Sequence, residues 1–268
     1  MEDIILAIVL FFIGAFASFL SGLLGVGGSA YLLPLILYVP PLFTNVTIDM
    51  SDATGLSIGV IWLSSLSASI SHRKSLVSPK VKPLIIALAI PCSFFAFAGG
   101  FFSQYVPDLS LKALFSVLAL FGGLLMCKKP KSDEWHPLLD DLHFSMVGAI
   151  IAASIVGIFA GLVGAGGAFL LSPICVYILN IPTRVVIASS MVVVFASSTA
   201  SLIGKVLAHM VDYERLLWLA LPTIPVAKLG VVVGKKVKAK SLRKLLAVLT
   251  LGMATKMVYE VIYEFEHR

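Results

Sequence analysis

Eight apolar runs, each about 20 residues long, recur along the chain, at 4–21, 53–71, 83–102, 110–127, 144–160, 185–204, 216–234 and 245–263. A helix of that length crosses a hydrocarbon core about 30 Å thick. The runs are continuously apolar rather than alternating, which excludes a transmembrane β-barrel. Composition agrees: 59% of the 268 residues are hydrophobic and 13% are charged, against about 45–50% and about 25% in a soluble domain. The sequence therefore predicts an all-α polytopic membrane protein, multi-pass in the cell membrane, with the lipid bilayer as its solvent. The first run follows Met1-Glu2-Asp3 rather than a basic stretch. Its continuation reappears later in the chain, so it is read as part of the fold and not as a signal peptide. The formal net charge of +6 sits mostly in loops, where it reports orientation in the membrane rather than affinity for nucleic acid.

The first run ends in "GLLGVGGSAYLLPL", from Gly22 to Leu35, with four glycines at positions 22, 25, 27 and 28. Glycine in a helix interior costs about 1 kcal/mol relative to alanine, so this cluster predicts a break. The same pattern returns as "GLVGAGGAFLLSPI" from Gly161. A shift of 139 residues superposes Gly22, Gly25, Gly27 and Gly28 on Gly161, Gly164, Gly166 and Gly167, Pro34 on Pro173, and Tyr38 on Tyr177. With small gaps, Ser64-Ser65 meets Ser197-Ser198, and Pro91 and Gly99 meet Pro222 and Gly230. The chain thus reads as two transmembrane repeats, 1–127 and 143–268, joined by a polar cytoplasmic linker, 128–142.

Basic residues orient the repeats. If each glycine break is a hairpin, with a full helix, a turn and a short helix returning, the cytoplasmic side holds 14 basic residues and the outside holds 4, namely Lys112, Lys205, Arg215 and Arg268. If each break is a kink in one crossing, the tally falls to 10 against 8. The positive-inside rule favours hairpins. The two halves then run in opposite senses. Inverted repeats of this kind are typical of secondary transporters, whose site lies at the midplane where the repeats meet. Each half is expected to hold a Gly-rich broken or re-entrant hairpin followed by three transmembrane helices.

Unwound backbone is tolerated at membrane depth only where protein buries it or water reaches it. Each break starts a short helix, at Ser29 or Ala168, and a helix N-terminus carries partial positive charge and free N–H donors. Gly25, Gly27, Gly28 and Ser29, with Gly164, Gly166, Gly167 and Ala168, are therefore candidate binding residues for a small anionic substrate. The plainer reading is that these glycines only let helices approach closely.

"GLLGVGGSAYLLPLILY" and "GLVGAGGAFLLSPICVY", each followed by a Ser/Thr-rich helix, resemble the sulfite exporter TauE/SafE family. The correspondence runs from about Ile8 to Ile262. The family has duplicated halves, each opening with a G-x-G-G-type segment ahead of a proline in an apolar run. Where a third glycine or small residue often follows the pair, this chain has Ser29 and Ala168. The resemblance implies transport of a small organosulfur compound or sulfur oxyanion. The motif is fairly specific for the family and poorly specific for the substrate.

The helices after the breaks carry "WLSSLSASIS" (62–71) and "FASSTASLIG" (195–204). Ser64, Ser65, Ser197, Ser198 and Thr199 are candidate donors to an anion. Alternatively, they bond carbonyls of their own helix and ease packing. Lys228, in "LPTIPVAKLGVVVG", is the ionisable group expected inside a membrane helix, and so a candidate for substrate or proton. Snorkelling to the interface is the competing reading. Asp52 reads first as an N-cap. Cys92, Cys127 and Cys175 lack CxxC spacing, and the five histidines are scattered, so no metal site or cofactor is expected. The glycine stretches lack the Lys-Ser/Thr of a nucleotide-binding loop. The leading expectation is a secondary transporter of a sulfite-like anion working by alternating access, with protons or sodium as candidate coupling ions. A lipid-phosphate enzyme and an anion channel are the alternatives. The enzyme is disfavoured because the predicted hairpin tips hold no acid or base.

Overall fold

The computed structural model describes residues 2–24, 29–72, 82–127, 145–179, 181, 183–234, 237 and 239–266. Twelve α-helices occur among them and no strand. They are α1 Glu2–Leu24, α2 Ser29–Tyr38, α3 Pro40–Phe43, α4 Met50–His72, α5 Lys82–Phe102, α6 Asp108–Cys127, α7 Met146–Val163, α8 Ala168–Tyr177, α9 Thr183–Leu207, α10 Tyr213–Ala220, α11 Thr223–Gly234 and α12 Ala239–Glu266. The linker 128–142 lies outside the described residues, as do Gly25, Gly27 and Gly28.

Among the described residues six helical segments are long and apolar enough to cross a membrane: Glu2–Leu23, Lys82–Tyr105, Asp108–Leu125, Met146–Val163, Ser189–Leu207 and Tyr213–Gly234. The sequence had eight such runs. The other two correspond to α4 and α12, which are 23 and 28 residues long but less apolar. For α4 the reason is position. Residues Ala53 to Ile61 are buried continuously, so its hydroxyls face protein and need not match lipid. The apolar run expected at 216–234 begins earlier, at Tyr213, and is split at Leu221-Pro222 into α10 and α11. Asp212 starts it by accepting from the amides of Glu214 and Arg215 at 3.0 and 3.1 Å, a side-chain cap of the expected type.

The outward faces are apolar. Ile4, Ile8, Phe12 and Phe16 recur every four residues on α1 and are all exposed. Val147, Ile151 and Ile155 do the same on α7. One stripe of a helix thus faces lipid while the opposite stripe packs. Inside, α4 and α9 cross each other, with Trp62 stacked on Phe195 at 6.4 Å and donating from Nε1 to Thr199 Oγ1 at 2.9 Å. Several of the other contacts come in matching pairs. Helix α5 packs on α7 as α1 packs on α10 and α11; α2 lies on α4 as α8 lies on α9; α12 touches α2 as α6 touches α8; α6 and α12 pack on each other.

Glycines set the closest of these approaches. A Cβ on Gly22 would meet the Ala227 carbonyl, and one on Gly230 would meet that of Phe19. Across the other interface, Gly161 faces the Ala96 carbonyl and Gly99 faces that of Ile158. Small residues at such crossings let backbones touch, which is what holds helices together where lipid offers no hydrophobic contrast.

Several polar contacts collect at one end of the molecule. Asn45 Nδ2 donates to Glu2 Oε1 at 2.8 Å, so by residue 45 the chain is back at the end where α1 began. Ser51 bonds the Asp108 carboxylate through both its amide and its hydroxyl. Lys112 pairs with Glu264 at 2.7 Å. Arg215 lies 3.6 Å from Asp52 and 3.3 Å from Asp212. The starts of α1, α4, α6 and α10 and the end of α12 therefore share one face.

Candidate functional site

The second glycine stretch is described in full along its backbone. Helix α7 ends when Gly164 enters the left-handed region at φ +68° and its amide turns back to Ala160 and Gly161. Gly166 and Gly167 follow at φ +62° and +79°. An L-residue resists this geometry by about 1–2 kcal/mol per position, which explains why glycine stands there. The Gly167 carbonyl then accepts from the amides of Leu170 and Leu171 at 3.2 and 2.8 Å, and α8 begins without a side-chain cap.

Two hydroxyls from the central helices hold this break. Ser57 Oγ on α4 donates to the Gly164 carbonyl at 2.8 Å, and Ser197 Oγ on α9 lies 3.1 Å from that of Gly166. The stretch from Gly164 to Gly167 is buried. The amides of Gly166 and Gly167 have no acceptor among the described residues. Buried backbone donors are almost always paired with something, and these two adjacent amides at the start of α8 have no acceptor among the described residues.

The other candidates divide. Ser64 Oγ donates to Ile61 O and accepts from Ser21 Oγ. Ser65 and Ser198 bond the carbonyls of Trp62 and Phe195, three residues back. Thr199 bonds Phe195 O at 2.6 Å and receives the Trp62 indole. These four are occupied by their own helices and, for Ser64 and Thr199, by a neighbouring one, whereas Ser197 reaches the break. Ser29 and Ala168 open α2 and α8 as expected. Lys228 is exposed on α11 and does not join this buried group.

The buried cation that sequence reasoning missed is Lys205, in the last turn of α9. It is 0% exposed. Its Nζ donates to Thr54 Oγ1 and Ser103 Oγ, both at 2.9 Å, and to Leu162 O at 3.3 Å. Leu162 lies in the last turn of α7, just before the break, and the Thr54 carbonyl faces Gly164. Lysine and glycine break are thus contiguous. Counted only as a charge near a helix end, Lys205 reads as an outside loop residue. The available signal was its spacing, four and eight residues after Ser201 and Ser197, which puts all three on one face.

Cys92 and Cys175 are buried and free. Among the described residues no group of three or more His, Cys, Asp or Glu could hold a metal ion.

A family model described as sulfite exporter TauE/SafE matches residues 10–257. A probable membrane transporter protein of Methanocaldococcus jannaschii is 25% identical, covering 92% of this chain and 93% of its own length. Two proteins of Bacillus subtilis, the probable membrane transporter proteins YunE and YjnA, are 25% and 23% identical. They cover 96% and 94% of this chain and 98% and 100% of their own lengths. No solved structure matches the chain.

Proposed function

The chain belongs to the sulfite exporter TauE/SafE family of membrane transporters, and from that premise we propose that it carries a small sulfur oxyanion or organosulfonate by alternating access. The observation that carries this reading is the pair of unengaged amides at Gly166 and Gly167, buried at the start of α8. A helix N-terminus has about half a unit of positive charge and donors aimed outward. An oxyanion satisfies both. The Gly164 and Gly166 carbonyls accept from Ser57 and Ser197, which leaves the amides to the ligand. By repeat equivalence, Gly27, Gly28 and Ser29 supply the matching half of the cage.

The architecture is that of two inverted repeats meeting at α4 and α9. Three observations support this: the reciprocal packing of α1 on α11 and α5 on α7, the matched glycine contacts, and the return of residue 45 to Glu2. Rocking one half against the other then exposes the midplane site to each side in turn. The segment from Gly164 to Gly167 offers only glycine and alanine, so an enzyme acting on a lipid phosphate would lack its acid and base there.

The test is uptake of labelled sulfite, thiosulfate, sulfoacetate and sulfate into proteoliposomes, with and without a pH gradient. Saturable uptake of at least one, accelerated by the same anion loaded inside, is the expected result. Flux without such acceleration would make the protein a channel. No flux of any of the four would overturn the anion reading.

A further inference from the structure

We propose that Lys205 and Ser201 form a second anion-binding station, lying between the glycine break and the end of the molecule where α4 and α10 begin. The inference rests on the reading of the chain as an anion transporter and adds a site that reading does not use.

Lys205 is a buried ammonium with no acidic partner among the described residues. Its three donors go to three neutral oxygens, on Thr54, Ser103 and Leu162. The two hydroxyls are themselves committed, Thr54 to Ser51 O and Ser103 to Gly100 O, each at 2.7 Å. Among the described residues the ion pairs join Lys112 to Glu264 and Arg215 to Asp52 and Asp212, and none includes Lys205. Burying an ammonium this way is costly unless a partner of opposite charge shares the site for part of the cycle. At membrane depth such groups mark the path of ions and substrates.

Ser201 supplies the independent observation. It is 0% exposed, and its Oγ lies against Gly100 of α5 with no hydrogen-bond partner among the described residues. It lies one helical turn before Lys205, on the same face of α9. One turn earlier stands Ser197, bonded to Gly166 O. Ser197, Ser201 and Lys205 therefore line one stripe about 12 Å long, at 1.5 Å per residue, running from the break to the end of α9. A purely structural role for Lys205, capping the C-terminus of α7, uses its bond to Leu162 and gives the Ser201 hydroxyl, packed against Gly100, no acceptor. An oxyanion uses both, taking one oxygen to the ammonium and one to the hydroxyl. In the conformation seen here the ammonium is held by α4 and by the turn at Ser103. Movement of these elements away from α9 would hand its donors to the anion.

The experiment measures binding of labelled sulfite and labelled sulfate to the purified full chain, and uptake of both into proteoliposomes. The variants are Lys205→Met, Lys205→Arg and Ser201→Ala. Lys205→Met should weaken binding tenfold or more and cut uptake in parallel, and Lys205→Arg should restore part of both. Ser201→Ala removes a hydroxyl that bonds nothing, so its melting temperature should hold or rise while anion affinity falls several-fold. If Lys205→Met fails to fold, Ser201→Ala decides alone. Wild-type affinity and uptake in folded Lys205→Met, or in Ser201→Ala, would reduce Lys205 to a helix cap and overturn the station while leaving the transporter reading intact. A wild-type protein that binds and moves neither anion, nor thiosulfate nor sulfoacetate, would overturn both readings together.

Discussion

Gly166 sits at φ +62°, with room for a Cβ only against Ile61 Cγ2 at 2.7 Å. Helix propensity alone says that Gly166→Ala gains about 1 kcal/mol. The left-handed backbone says that it loses about 1–2 kcal/mol, and the amide beside it belongs to the proposed site. The expected result is a lower melting temperature together with weaker sulfite binding, measured on the same preparation. Repeat equivalence makes Gly27→Ala the matching variant. Alanine variants that are both more stable and normal in binding would remove the breaks from the site. Lys228 offers a contrast at the same scale. Its side chain is exposed, and substitutions at such positions shift energies by about 0.5 kcal/mol or less, roughly twofold in an affinity. Lys228→Met should therefore transport within about twofold of wild type. A severe loss would bring that ammonium into the path.

Among elements, the two glycine-lined interfaces are the most sensitive. A methyl on Gly99 would strike the Ile158 carbonyl, and one on Gly230 that of Phe19. Both obstacles are backbone, so the helices must part. Gly99→Ala and Gly230→Ala should each cost about 1–3 kcal/mol, the usual range for overpacking, and the two losses should be alike because the interfaces are equivalent. Gly252 on α12 is the control, since nothing lies within 4 Å of a Cβ there. Gly252→Ala should be neutral or gain up to about 1 kcal/mol from helix propensity. Thermal unfolding of the three variants in detergent checks both statements. A large loss at one interface and none at the other would argue against paired halves. The breaks themselves were legible at this scale. Clustered glycines marked the starts of α2 and α8 at Ser29 and Ala168. The split between α10 and α11 was not, because its equivalent proline, Pro91, stands inside the unbroken α5.

The whole molecule gathers Lys112, Lys205 and Arg215 at the end shared by Glu2, Asn45 and Glu264. The charge tally expects that end outside and the denser basic segments on the cytoplasmic side. In a background free of native cysteine, Asn45→Cys and Phe265→Cys should react with an impermeant thiol reagent added outside intact cells. Ser132→Cys, in the linker, should react only after the membrane is opened. Labelling of residue 45 from the cytoplasmic face alone would reverse the orientation and sink the hairpin count with it.

Hydropathy and glycine clustering are local and additive along the chain, so the sequence by itself determined the membrane class and the place, from Gly164 to Gly167, where α7 gives way to α8. It chose Lys228 and set Lys205 outside, and the fold reverses the two. Both lie in apolar helices, but Lys205 is enclosed by Thr54, Ser103 and Leu162 from three other segments, while Lys228 is exposed. The same holds for the serines. Ser197 reaches the break and Ser198 bonds its own helix, although they are adjacent. The physical reason is the solvent. In water a buried helix face is the apolar one, and the pattern reveals it. In lipid both faces are apolar, so only the neighbours that a fold brings against a residue decide whether it meets protein, lipid or an ion.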